Sequence, residues 1–199
     1  MPDLEVAPPV RAAGAAEANV TVWRFNGPAA RAGGEADEWL SGFIGEPSML
    51  VYMDDTSARP TNPEYSRAED RVSFADGYPL LLASTASLAA LSDWIVETGG
   101  EPVPMTRFRP NVVVEGTEPW AEDGWRRVRI GGQVFRAVKR CTRCVMTTVD
   151  PERGEFAGQQ PLKALRKHRR LDKSVFFAVN LIPDTVGPIK VGEGVEVLD

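Results

Sequence analysis

The chain has 199 residues, 43% of them apolar and 26% charged. A chain of that size and balance can bury a core without disulfides or a metal to hold it together. Lys and Arg number 23 against 28 Asp and Glu, a formal charge of −5. This argues against a general binder of nucleic acid or of an acidic membrane, either of which needs a basic excess.

No apolar run approaches the length of a membrane-spanning helix, and the opening MPDLEVAPPV has neither the basic nor the apolar region of a secretion signal. There are two cysteines, too few for a disulfide framework. Without an export signal they read as reduced thiols in a cytoplasmic protein.

In chain order, residues 1–36 are rich in Pro, Ala and Gly around one alternating stretch, Asn19–Phe25, expected as a strand. A short helix should start at an Asp37 cap, carry Trp39, Leu40, Phe43 and Ile44, and stop at Gly45. Met49–Met53 reads as a strand and Asp54–Asp70 as a long surface loop. A turn at "FADGYP" leads into a buried strand, followed by the clearest helix. Ser84 or Thr85 caps it, Leu88, Leu91 and Ile95 line one face, and Gly99-Gly100 end it.

"FRPNVVVEG" is strand-like behind its proline. "WRRVRIGGQVFRAVKR" predicts two strands turning at Gly131-Gly132 and delivering the chain to Cys141. "VMTTV" after Cys144 is β-branched and expected as a strand. "QPLKALRKHRR" predicts a basic helix with Pro161 near its start. "SVFFAVNLI" and "IKVGEGVEVL" close the chain as strands. The fold class is therefore mainly β with a few short helices, a barrel or sandwich rather than a doubly wound sheet.

Cys141 and Cys144 form a C-x-x-C among basic residues. A structural zinc site needs four ligands, and only His168 joins them. A thioredoxin-type pair needs a helix start, whereas the residues after Cys144 favour a strand. A single thiolate binding a soft metal carried by an organic cofactor needs no more ligands than are present, with Arg140 and Arg143 favouring its ionised form. Two buried structural cysteines are the remaining reading. Glu122-Asp123 reads as loop, with Trp120 and Trp125 as core anchors. His168, in a basic exposed helix, is not an acid–base candidate.

Four ordered segments, Phe74–Leu91, Arg107–Trp125, Lys139–Gly154 and Gln160–Arg169, together resemble the MOSC domain, a β-barrel named for the molybdenum cofactor sulfurase C-terminus. The resemblance spans roughly residues 39–198. It is nearest the branch of the mitochondrial amidoxime-reducing component and its bacterial relatives. It implies a MOSC-type barrel over residues 59–199, with 1–58 the remnant of an N-terminal MOSC-associated β segment, either because the true start lies upstream or because this is a shortened version.

The resemblance further implies a molybdenum cofactor (Mo-molybdopterin) bound through Cys144, the metal ligand and catalytic centre. Thr142 and Arg143 would lie beside the pterin and its phosphate, and Arg109 and Asn111 would contact the cofactor. Asp76, Gly77 and Tyr78 would stand toward the metal, Asp76 in a catalytic role, with Asn180 facing the cofactor. Cys141 would be a small core residue behind the ligand turn. Pyridoxal phosphate is associated with MOSC domains only at the level of the family.

The implied activity is reduction of small N-hydroxylated compounds. Electrons would come from a separate ferredoxin- or flavodoxin-like protein, since no ferredoxin-type cysteine set is present. The alternative is a non-catalytic carrier of the cofactor or its sulfur. The basic run Lys163–Lys173 is either a solvated helix face or the docking patch for that donor.

Overall fold

The computed structural model describes residues 3–9, 16–53 and 59–199. They divide into two units, 1–61 with 68–77, and 62–67 with 78–199. Strand exceeds helix, 31% against 22%, as a mainly β chain requires.

In the first unit, β1 (Glu17–Val22) and β2 (Phe25–Arg31) form an antiparallel hairpin, and β3 (Val51–Tyr52) pairs with β2. Of the expected single strand Asn19–Phe25, Asn19–Val22 lies in β1 and Phe25 opens β2, with the hairpin turn between them. Trp23 and Arg24 reverse the chain, with Trp23 at φ 56 and the Thr21 hydroxyl donating to Asn26 Oδ1 at 2.6 Å. Sequence gave no warning, because no Gly, Asn or Pro occupies the turn. The helix α1 (Gly34–Ile44) starts three residues before the expected cap. Asp37 instead sits inside its first turn, accepting from Leu50 N–H at 2.9 Å and pairing with Arg31. Gly45 ends the helix in the left-handed conformation (φ 83), as read from the sequence.

Of the expected surface loop 54–70, residues 54–58 lie outside the described part. The remainder is partly interior. Arg59, Thr61 and Asp70 are buried, and Arg59 donates to the carbonyls of Ser73, Ala75 and Asp76 at 2.6–2.9 Å. One buried guanidinium thus finds three carbonyl acceptors, where an unpaired buried charge would be costly.

The second unit is a nearly closed, barrel-like sheet. Its strands are β4 (Leu80–Ser84), β5 (Val112–Val114), β6 (Arg127–Ile130), β7 (Gln133–Thr142), β11 (Ser174–Pro183) and β12 (Val195–Val197), in the order β12-β6-β7-β11-β4-β5. The short β10 (Arg170–Leu171) pairs beside β11, and β8 (Val149–Asp150) with β9 (Glu155–Phe156) makes a separate ladder. Among the described strands only β4 and β5 pair in parallel. A parallel pair needs a crossover, and α2 (Thr85–Val96) supplies it. Ser84 caps α2, its hydroxyl accepting from Ala86 N–H at 3.2 Å. The β6–β7 turn falls at Gly131-Gly132, with Gly131 at φ 54, as the sequence predicts.

Alternate residues sort into two cores. Leu82, Val112, Val114, Val128, Ile130, Phe135, Val179 and Leu181 pack together on one face of the sheet. Ala83, Val175, Phe177 and Ala178 face the other way, against Leu91 and Ile95 of α2 and Leu162 and Leu165 of α3 (Leu162–His168). Each fully buried aliphatic side chain contributes roughly 1.5–3 kcal/mol. Trp120 packs on the helix-side core and Trp125 on the other, as expected of anchors. No helix among the described residues is long and apolar enough to cross a membrane.

Candidate functional site

β7 runs through Cys141 and ends at Thr142, leaving Arg143 and Cys144 at its mouth. The segment that follows is not the expected strand. Val145–Thr148 is a 3₁₀ turn begun by Cys144, and only Val149–Asp150 is extended. The threonines explain the reversal. Thr147 Oγ1 donates to the Cys144 carbonyl at 3.0 Å and Thr148 Oγ1 to that of Val145 at 2.7 Å. Hydroxyls that bond back three residues hold a turn that β-branching alone would oppose. Both threonines are buried, whereas Cys144 is exposed and presents its thiol to solvent.

Cys141 is not the buried core residue expected of it. It is half-buried, with its Sγ 3.0 Å from Arg143 Nη1. Arg143 is committed inward. Its Nη2 donates to the Phe108 carbonyl at 2.9 Å, its guanidinium lies over the Phe108 ring, and its backbone N–H donates to Val175. This one side chain ties the C-x-x-C segment to the F-R-P-N loop, with a charge-assisted hydrogen bond of about 1.5–3 kcal/mol. A second tie lies close by. Arg107, with a side chain 9% exposed, is 3.8 Å from Asp150, and its Nε and Nη1 have no partner. The Asp150 carboxyl is held below its ordinary pKa, first by the Glu152 N–H and also by Arg107.

Beyond Phe108, Arg109 is exposed and has φ 52, a left-handed backbone costly for a side chain with Cβ. Asn111 is exposed, but its Oδ1 accepts from Leu81 N–H at 2.9 Å while its own N–H donates to Leu81 O. Its side chain therefore extends the β4 ladder by one rung. Leu81 stands opposite Asn180, and Asn180 opposite Lys139, so Asn111, Asn180 and Lys139 fall along one cross-sheet row. Asn180 Nδ2 donates to the Lys139 carbonyl at 3.2 Å, and Lys139 Nζ lies 4.5 Å over the Tyr65 ring. Tyr78 has a buried hydroxyl without a partner, and burial, with Tyr65 and Glu64 nearby, pushes its pKa up to about 12. Asp76 and Gly77 belong to the first unit, where the Asp76 carbonyl accepts from Arg59.

A pocket of about 490 Å³ opens at the thiol. Thr142, Arg143 and Cys144 line it. Sequence reasoning did not assign Arg166, Arg170, Lys173 and Ser174 to it. Their signal was present as the basic run 163–173, but a run of charge does not say which members converge. The run in fact divides. Arg166, Arg170 and Lys173 line the pocket, while Lys163 and Lys167 are exposed outside its lining. Arg169 turns inward to pair with Asp123 and lie over Trp120. His168 is exposed and stacks on Trp94, with no carboxylate bonded to it among the described residues.

Among the described residues no three His, Cys, Asp or Glu side chains converge as a metal cluster. The MOSC domain model matches residues 69–196 of this chain.

The chain belongs to the MOSC domain family.

Curated proteins similar to this MOSC chain carry the name amidoxime-reducing component. Mitochondrial amidoxime-reducing component 1 of Homo sapiens is 34% identical over 179 residues, 83% of this chain and 52% of the relative. The Mus musculus protein of the same name is 33% identical over 178 residues, 83% and 51%. Mitochondrial amidoxime reducing component 2 of Homo sapiens is 31% identical over 175 residues, 82% and 51%. The chain spans about half the length of the curated relatives it matches.

Proposed function

We propose that this MOSC chain binds a molybdenum cofactor through Cys144 and reduces N-hydroxylated compounds. The observation that carries the reading is Cys144 itself, an exposed cysteine held by a 3₁₀ turn with two buried threonines, in the lining of a cation-rich pocket. The donor set fits the group. A thiolate suits a soft metal, and arginines suit phosphate oxygens. Arg109 is exposed, and Asn111 keeps its amide nitrogen uncommitted among the described residues. When bound, the cofactor supplies the two-electron redox chemistry.

The protein's own part is positional. Arg143 locks the F-R-P-N loop to the ligand segment and so sets Arg109 and Asn111 relative to Cys144. Thr142, Asn180, Tyr78 and Gly77 complete the assigned contacts, and Asp76 keeps its assigned catalytic role toward the substrate. The conversion cleaves one N–O bond with two electrons and two protons, giving the reduced nitrogen compound and water. Electrons come from a separate ferredoxin- or flavodoxin-like donor. Lys163 and Lys167, exposed outside the pocket lining, supply charge to dock it, which predicts a reduction rate that falls with added salt. The MOSC domain of this reading begins at residue 59, after the N-terminal segment 1–58, and its place is the cytoplasm.

The test is molybdenum per chain by elemental mass spectrometry, in the parent and in Cys144→Ala, after expression in a cofactor-making host. Near-stoichiometric metal in the parent and little in the variant is expected. Equal metal in both would remove Cys144 as the ligand. Turnover of a hydroxylamine with a chemical reductant then separates a reductase from a carrier, which would bind the metal without turnover.

A further inference from the structure

The pocket at Cys144 has an unusual charge balance. Arg143, Arg166, Arg170 and Lys173 line it, and no carboxylate does. Arg143 is spent on Phe108 and Cys141. Arg170 gives its Nε to the Asp172 carbonyl and keeps the rest of its fork. Arg166 and Lys173 have no hydrogen bond or ion pair among the described residues. Three cations therefore share one concavity uncompensated. Like charges held together repel unless an anion joins them.

The lining is more polar than apolar. Leu162 and Val175, 5% and 7% exposed, belong to it together with Val145 and the hydroxyl-bearing Ser174 and Thr142. A mostly polar, cationic concavity with a few apolar members suits a small organic ligand with one anionic end.

We propose that this pocket selects ligands bearing a carboxylate or phosphate, held by Arg166, Arg170 and Lys173. This rests on the reductase reading only for the claim that the ligand is the N-hydroxylated substrate. Three of the cations in the basic run then serve a small molecule, which leaves the exposed Lys163 and Lys167 to a protein partner.

The test is calorimetric titration of the cofactor-loaded chain with two matched probes, benzamidoxime and 4-carboxybenzamidoxime, at low ionic strength. The carboxylate should bind at least about tenfold tighter, a gain of roughly 1.4 kcal/mol. That ratio should collapse toward one in Arg166→Gln/Lys173→Gln and persist in Arg166→Lys/Lys173→Arg. Lys173→Gln alone, at an exposed position, replaces the double variant should that not fold, and should lower the ratio.

Equal affinities in the parent overturn the proposal, as does a preference that survives loss of the cations. A preference confined to cofactor-free chain also overturns it, because the cations would then serve the cofactor's own phosphate. Turnover without a preference refutes the anion site and spares the reductase reading. A preference in loaded chain without turnover does the reverse. If no cofactor can be loaded, the reductase reading falls and the ratio on the bare chain decides the anion site.

Discussion

Ser87, fully buried in α2, gives the sharpest test of how the helix-side core is organised. Its hydroxyl donates to Glu122 Oε2 at 2.9 Å and accepts from Trp120 N–H at 2.7 Å. Ser87→Ala deletes both bonds and provides nothing in their place. Trp120 N–H loses its acceptor, and Glu122, 0% exposed with Oε1 already unpaired, loses a donor. Each stranded group costs about 1–3 kcal/mol. Alanine returns roughly half a kcal/mol of helix propensity. The net loss is therefore about 1.5–5.5 kcal/mol. Urea unfolding is the assay. With a slope of about 2–3 kcal/mol per molar, the midpoint should fall by at least roughly 0.5 M with the slope unchanged. A fall below about 0.3 M would refute the reasoning, since water or a shifted side chain would then replace the hydroxyl without cost.

Burial raises the Glu122 pKa above its ordinary 4.5, partly countered by the Ser87 hydrogen bond. The folded state then holds the proton more tightly than the unfolded. The stability this contributes is full below the unfolded value and lost as pH rises through the folded one. Melting temperatures of the parent and Glu122→Gln should converge near pH 4, with the variant gaining as pH rises; a pH-independent gap would count against this. Arg109→Gly relieves a left-handed backbone worth about 1 kcal/mol and gives back roughly as much in unfolded-chain entropy. Urea stability should hold within about 0.5 kcal/mol while molybdenum content falls; unchanged content would free Arg109 of its assigned role. Arg143→Gln should cost about 1.5–3 kcal/mol and speed amide exchange at Asn111, and unaltered exchange there would sever the proposed tie between the two segments.

The elements legible in the sequence are those whose cause is local. The Gly131-Gly132 turn could be read because a two-residue hairpin needs positive φ, which glycine provides without steric cost. The α2 start was legible because a serine hydroxyl reaches a nearby N–H, and its buried face because Leu91 and Ile95 lie one turn apart. Val145–Thr148 was misread because the same threonines favour a strand by shape and a turn by hydroxyl, and burial favoured the turn. Trp23 turns the chain with no turn residue to announce it.

The candidate site was legible in its motif residues and hidden in its surroundings. Cys144, Arg143 and Arg109 could be named from their peptides. That Arg143 would reach Phe108 and Cys141 depends on how β7 and the F-R-P-N loop meet. Arg166 is separated from Lys163 and Lys167 although all three lie on α3, and Arg170 and Lys173 reach the same pocket from beyond its end, which a run of charge does not reveal. The Glu122–Ser87 pair spans 35 residues, a distance at which pattern says nothing.

Ala178 stands in the middle of β11 with φ 70 and 1% exposure, where the register against β7 slips. In an unbroken strand Phe177 and Val179 would share a face. Here Phe177 joins the helix-side core and Val179 the opposite one. A single strand thus belongs to both cores, and neither can lose it while the other stays whole. The bulge couples the two hydrophobic clusters into one cooperative unit, so that slow amide exchange in α2 and in β6 should report the same opening event. It also holds the pocket's Val175 on a strand whose far end, at Leu181, is locked inside the opposite core.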